Sequence, residues 1–273
     1  MALTVNTNMS ALSAANTLNN TQGALSQTLA RVSSGMRINR AADDAAGSAV
    51  AQNLSTQARS GRQAIRNAND GISVIQTAEA ASKEVLNMLD RIRELAVQSS
   101  SDTLEDTERA YIQTETTALL SEVDRVANSS EFNGISLSNG STASLTVQVG
   151  VNNNTNSQID ITLGDLNADA LSIDAITLAS AAGARTAIGT VDTAIDSVNS
   201  IRATYGATQN RLGSAINNMS TYVESLSSAA SQIQDADYAH ETAEMTRLQV
   251  MQQAGVAALG QARGMNQSVL SLL

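Results

Sequence analysis

Between positions 191 and 233 large side chains recur every seventh residue: Val191, Val198, Tyr205, Leu212, Met219, Leu226 and Ile233. A spacing of seven keeps these residues on one seam of a long helix that packs against a partner helix. The neighbouring seam agrees at Ile188, Ile195, Ile216 and Val223, while Arg202 and Gln209 interrupt it. A helix over 185 to 233 would extend roughly 70 Å at 1.5 Å per residue. Nothing in the composition opposes such length. The 273 residues contain no proline, the residue that removes a backbone bond and clashes with the preceding turn inside a helix. There is no tryptophan and only one phenylalanine, so the core must be built from Ala, Leu, Ile, Val and Met.

The same periodicity runs through most of the chain. Val5, Met9, Leu12, Leu18, Leu25, Leu29, Val32 and Met36 form a helical stripe over residues 3 to 36, which Ser33-Ser34-Gly35 then interrupts. Asp43 or Asp44 supplies an N-cap for a second helix running to about Ser99, with Leu54, Ile65, Ile72, Ile75, Leu86, Leu89, Ile92 and Leu95 on its apolar face. Asp102 followed by Glu105 reads as a capping box for a third helix through Ile112, Leu119, Val123 and Val126. The turn sequences EFNG and SNG end it. The period then drops to two at Leu145, Val147, Val149 and Val151, and again at Ile159, Ile161 and Leu163, predicting one β-hairpin over about 144 to 164. Residues 165 to 184 show no clean period. The last segment steps through Met245, Leu248, Met251, Ala258, Ala262, Met265, Val269 and Leu272. The predicted fold class is therefore mainly α: long coiled-coil-like helices formed by paired N- and C-terminal segments, plus one small β-hairpin.

Several functions are disfavoured. A formal charge of −10, with Lys83 the one lysine among 16 basic residues, is no nucleic-acid footprint. Without cysteine there are no disulfides or thiolate metal sites. The first thirty residues carry no charge, so the basic start of a cleaved secretory signal is missing. Their apolar residues are also too often interrupted for membrane insertion. His240 and Glu241 in AHETAEM begin like a zinc-protease helix, but Glu244 stands where the second histidine is required. Adjacent Asp43 and Asp44 fit capping better than acid–base catalysis. No catalytic residue, metal or cofactor is expected, and the protein is read as a non-enzyme.

The chain ends carry a different message. About eight large apolar side chains do not offset the backbone entropy of ordering some thirty residues. Both ends are weakly charged and rich in small residues, including GVAALG at 255 to 260. The two segments are expected to pack together and to be completed by other copies in a homopolymer, as in coupled folding and binding. Head-to-tail contacts that do not close make filaments.

Four stretches also resemble one family in the right order. LARVSSGMRINRAADDAAGSAVAQNL, DRIRELAVQSS, EFNGISL and IQDADYAHETAEMTRLQVMQQAGVAALGQA, followed by VLSLL, are similar to bacterial flagellin over nearly all of residues 1 to 165 and 185 to 273. Departures are Met36 and Arg40, where leucine and a small polar residue are usual, and the lack of a terminal basic residue. The resemblance implies a short flagellin with two domains. Residues 1–44 and 234–273 would form the inner-tube domain D0, and 45–233 the D1 bundle, with 165–184 a minimal connector. It implies a structural subunit of the flagellar filament for swimming motility, exported unfolded by the flagellar type III system to an extracellular filament. Implied partners are further copies of the chain, an export chaperone on the C-terminal helix, and the filament cap and hook-junction proteins. The polymerising residues would be Val5, Met9, Leu12, Leu18, Leu25, Leu29, Leu259, Met265, Val269, Leu272 and Leu273. The resemblance also implies recognition by Toll-like receptor 5 through Arg91, Leu95, Gln98 and Glu115, with Asp90 standing where glutamine is frequent. D1 packing between subunits is the other use of that surface. A hook–filament junction protein, with similar terminal helices, is the alternative identity.

Overall fold

A computed structural model of the chain describes residues 7–264 in full and the backbone alone of residues 265–270. Five long helices dominate: α1 (Met9–Ser34), α2 (Ala45–Ser99), α3 (Asp106–Ser129), α4 (Ala181–Gln234) and α5 (Tyr238–Leu270). Strands β1 (Glu131–Phe132) and β2 (Ile135–Ser136) pair antiparallel, as do β3 (Ser144–Gln148) and β4 (Gln158–Thr162). Contacts divide the chain into a terminal unit, Met1–Thr56 with Ser225–Leu273, and a central unit, Gln57–Glu224.

Local chemistry sets the helix ends. Gly35 closes α1 at φ +71°, where a residue without Cβ adopts the left-handed cap at little cost, and its N–H donates to the Arg31 carbonyl at 2.8 Å. The two aspartates before α2 divide the work between them. Asp44 caps the helix by accepting from the Gly47 amide at 2.8 Å, while Asp43 accepts from the amides of Asn39 and Arg40 and from Gln27. The start of α3 differs from the expectation. Glu105, and not Asp102, is the N-cap, and Glu108 reaches back to the Glu105 amide at 3.0 Å. Asp102 instead accepts from Arg185 of α4 at 3.0 Å, because the connection after α2 turns it toward that helix. Arg109, buried, holds the same connection by donating to the carbonyls of Ser99 and Leu104.

In the terminal unit α1 lies against α5. Thr21, Leu25 and Thr28 form the buried face of α1. Asn8 donates to the Ala262 carbonyl at 2.8 Å, Gln252 donates to Gln22, and Arg31 pairs with the buried Glu241 at 3.4 Å. At Gly255 an added Cβ would lie 3.3 Å from Leu18 Cδ1, so the small residues of GVAALG do permit close helix approach. The chain returning from α4 is tied down by Arg37, whose amide donates to the Gln234 carbonyl at 2.7 Å, and by a bridge between Met36 and Asp235.

The central unit has three continuous patches of core. Val85, Leu89 and Ile92 meet Val123 of α3 and Val191 and Val198 of α4. Ile75, Tyr205 and Leu212 meet Ile159 and Ile161 of the hairpin. Leu95 and Ala96 meet Ile112, Leu178 and Ala184. Residues 165 to 180 have no regular structure, yet Leu166, Leu171, Ile173 and Leu178 are buried in these patches. The aperiodic stretch is thus part of the core, held by Leu166 N–H to the Ser138 carbonyl at 2.8 Å and by Leu178 N–H to the Gln113 side chain at 2.5 Å.

Candidate functional site

Two surfaces are candidates for function, one in each unit. In the central unit, Arg91 of α2 reaches across to α3. Its Nε and Nη2 donate to Glu115 Oε1 at 3.0 and 2.8 Å, and its Nη1 donates to Glu94 at 3.0 Å. The three side chains are exposed and form a charged ridge. The hydrogen bonds to Glu115 and then Glu94 raise the Arg91 pKa, so the guanidinium stays charged. Gln98 is exposed on the same helix.

Leu95 is not part of that ridge. It is 2% exposed and packs inward with Ile112 and Leu178. Of the four residues singled out in the sequence, the structure brings Arg91 and Glu115 into contact, leaves Gln98 at the surface and buries Leu95. Glu94 was not anticipated. Its position three residues beyond Arg91, a spacing that places charges side by side on a helix, is the signal that finds it. On another edge of α2, Arg93 pairs with Asp192 of α4, whose carboxyl pKa is lowered by the hydrogen bond from Arg93.

In the terminal unit, large apolar side chains face outward on both helices. Met9 is 66% and Leu12 54% exposed on α1, and Val256 is 56% exposed on α5; Leu29, Val250 and Met251 are exposed too. Leu18 and Leu259 are half-buried, and Leu25 is buried within the unit. An open groove between the helices is lined by Met9, Ser13, Thr17, Gly255 and Ala258. Val5, Leu272 and Leu273 lie outside the described residues, as do the side chains of Met265 and Val269. After Glu244, Arg247 and Arg263 are the only charged residues before the end of the sequence, so the outward face of α5 combines apolar and small polar groups.

Among the described residues no group of three His, Cys, Asp or Glu side chains is arranged to hold a metal, and no helix is long and apolar enough to cross a membrane. Glu241, next to the exposed His240, is committed to Arg31.

The comparisons with known proteins agree with this arrangement of helices. Residues 5–143 match the bacterial flagellin N-terminal helical region and residues 188–273 the bacterial flagellin C-terminal helical region. The chain belongs to the bacterial flagellin family. This flagellin is 39% identical over 285 residues to the flagellar filament 33 kDa core protein of Treponema phagedenis, covering 98% of this chain and 99% of that one. It is 39% identical over 303 residues to the flagellin of Bacillus subtilis (strain 168), with 98% and 99% coverage. Among solved structures it is similar to Bacillus cereus flagellin, with a TM-score of 0.51 and 30% identity over 56% of this chain and 88% of that one. The protein is a flagellar filament subunit of a structural protein family.

Proposed function

We propose that α1 and α5, within residues 1–44 and 234–273, form the inner tube (D0) of the flagellar filament, and that residues 45–233 form the surrounding D1 layer. The observation that supports this reading is the set of exposed large apolar side chains on the terminal helices, among them Met9, Leu12, Val250 and Val256. Large apolar side chains left exposed on two adjacent helices suit a protein contact, and copies of the same chain are the partners that a filament supplies. Leu25, with Leu18 against Gly255, then holds the helix pair together, while Met9, Leu12 and Leu29 face neighbouring subunits, and Leu259 with Val5, Met265, Val269, Leu272 and Leu273 completes the polymerising set.

Family membership extends the reading. The subunit is exported unfolded through the type III channel, its C-terminal helix held by an export chaperone that covers the exposed apolar side chains of α5. It polymerises beneath the cap and beyond the hook-junction proteins into an extracellular filament. In this reading the Arg91–Glu115 ridge with Gln98 is the surface offered to Toll-like receptor 5, and Leu95 acts from beneath by fixing the position of α2.

Deleting the last twelve or so residues tests the core of the proposal. The truncated protein should remain soluble, with a cooperatively unfolding central unit, and should form no filaments on seeding, as seen by electron microscopy. Normal filaments from that protein would refute the assignment of the C-terminal segment.

A further inference from the structure

The chain has two Asn-Gly pairs in turns, Asn133–Gly134 exposed and Asn139–Gly140 with its asparagine half-buried, and the structure makes them chemically different. Asn133 and Gly134 both have positive φ, 51° and 77°, between the paired strands β1 and β2. That is the primed two-residue hairpin turn, whose backbone is fixed by the strands on either side. Asn139 and Gly140 lie in the open connection before β3, where only Gly140 has positive φ, at 75°.

At the second pair the side-chain carbonyl of the asparagine is held in a hydrogen-bonded turn. Asn139 Oδ1 accepts from the Ser141 amide at 3.1 Å and from the Ser141 hydroxyl at 2.6 Å. The ring closed by the amide bond contains both Asn139 Cγ and the Gly140 nitrogen, so carbonyl carbon and nucleophile belong to one small turn. Two donors on Oδ1 polarise that carbonyl and would stabilise negative charge developing on it. Among the described residues no acceptor takes the Gly140 N–H. The Asp165 carboxylate lies against Gly140, with Oδ2 2.2 Å from where a Cβ would stand, so a base stands beside the turn.

We propose that Asn139–Gly140 is a self-modifying site that deamidates through a succinimide. The Gly140 amide nitrogen gives its proton to a base, Asp165 or solvent, and attacks Asn139 Cγ, forming a C–N bond. Charge passes to Oδ1, and collapse of this intermediate breaks the bond to the side-chain nitrogen, which takes up a proton and leaves as ammonia. Water then opens the ring at either carbonyl, leaving aspartate or isoaspartate at position 139. The net change is amide plus water to acid plus ammonia, with no oxidant or cofactor.

The product alters the packing nearby. The Asn139 carbonyl accepts from Asn167 Nδ2 at 3.2 Å, and the preceding Ser138 carbonyl accepts from the Leu166 amide at 2.8 Å. A new carboxylate beside Asp165, or an extra methylene in the main chain, loosens the anchor that seats residues 165 to 168 in the core. The site therefore works as a slow ageing mark on the subunit, independent of how the subunit assembles.

The test is to incubate the full-length chain at physiological temperature and map its peptides by mass spectrometry, with isoaspartate detected by methyltransferase labelling. Position 139 should be modified several-fold faster than Asn133, and Ser141→Ala, which removes the hydroxyl donor, should slow it about fivefold. Hydrogen exchange at the Leu166 amide should quicken in the aged protein. Modification of Asn133 at an equal or greater rate, or an unchanged rate at position 139 in Ser141→Ala, would overturn the proposal.

Discussion

Gln209 of α4 donates to Glu79 Oε2 of α2 at 3.1 Å. Arg202, one heptad earlier on α4, approaches the other oxygen of the same carboxylate at 3.8 Å. The two residues that break the apolar seam of α4 thus share one acceptor on the facing helix. A polar layer between apolar ones costs stability but opposes slipped registers, since any slip leaves partly buried donors without a partner.

Glu79→Ala should therefore destabilise the central unit by about 1–2 kcal/mol, with the partial exposure of the ion pair keeping the loss small. Glu79→Gln, which keeps an acceptor, should lose less. Urea unfolding followed by circular dichroism measures both; equal losses would show that the carboxylate's neighbours do not depend on it.

Arg91 and Leu95 sit one helical turn apart and should behave oppositely. Leu95→Ala leaves a cavity among Ile112, Leu178 and Ala184 and should cost about 2–5 kcal/mol. Arg91→Ala removes only exposed ion pairs and should leave stability nearly unchanged, while lowering Toll-like receptor 5 signalling by about tenfold or more if the ridge is the contact. An unchanged response in a reporter-cell assay would remove the ridge from the receptor interface.

Two glycines offer a test of packing. Gly189 lies inside α4 with open space around its missing Cβ, so Gly189→Ala should stabilise by about 0.5–1 kcal/mol through helix propensity. At Gly164 a Cβ would stand 2.6–2.8 Å from three side-chain carbons of Ile201, so Gly164→Ala should destabilise by about 1–3 kcal/mol. Thermal unfolding of the two variants should move in opposite directions.

Acid should act on the terminal unit through Asp43. Its carboxyl pKa is lowered, chiefly by the hydrogen bond from the Arg40 amide, with Asn39, Gln27 and Arg31 adding to the shift. A folded pKa below the unfolded value of about 3.9 means that its contribution is fully present well above that pH and is lost as pH falls through the lowered folded value. Asp43→Asn should flatten the loss of stability below about pH 4. A stability–pH profile that keeps its acid limb in the variant would assign that limb to other carboxylates.

Much of this protein is written in local spacing. Steps of seven and of three and four residues define α1, α2 and α4, alternation defines β3 and β4, and Asp44 and Gly35 mark helix ends, because each of these signals depends on neighbours a few residues away. The sequence also holds the family's motifs in order, and with them the identity of the protein.

Tertiary structure decided what each face meets. Leu95 lies on the apolar face of α2 and Arg91 one turn away off it, but only the approach of α3 and the returning segment at Leu178 fixes what each one meets: a core in one case, Glu115 in the other. Asp102 became the partner of Arg185 and ceded the cap to Glu105. The aperiodic residues 165 to 180 entered the core because neighbouring helices left room for Leu166, Leu171, Ile173 and Leu178. In each case the deciding contact joins residues far apart in the chain, and no local period carries that information.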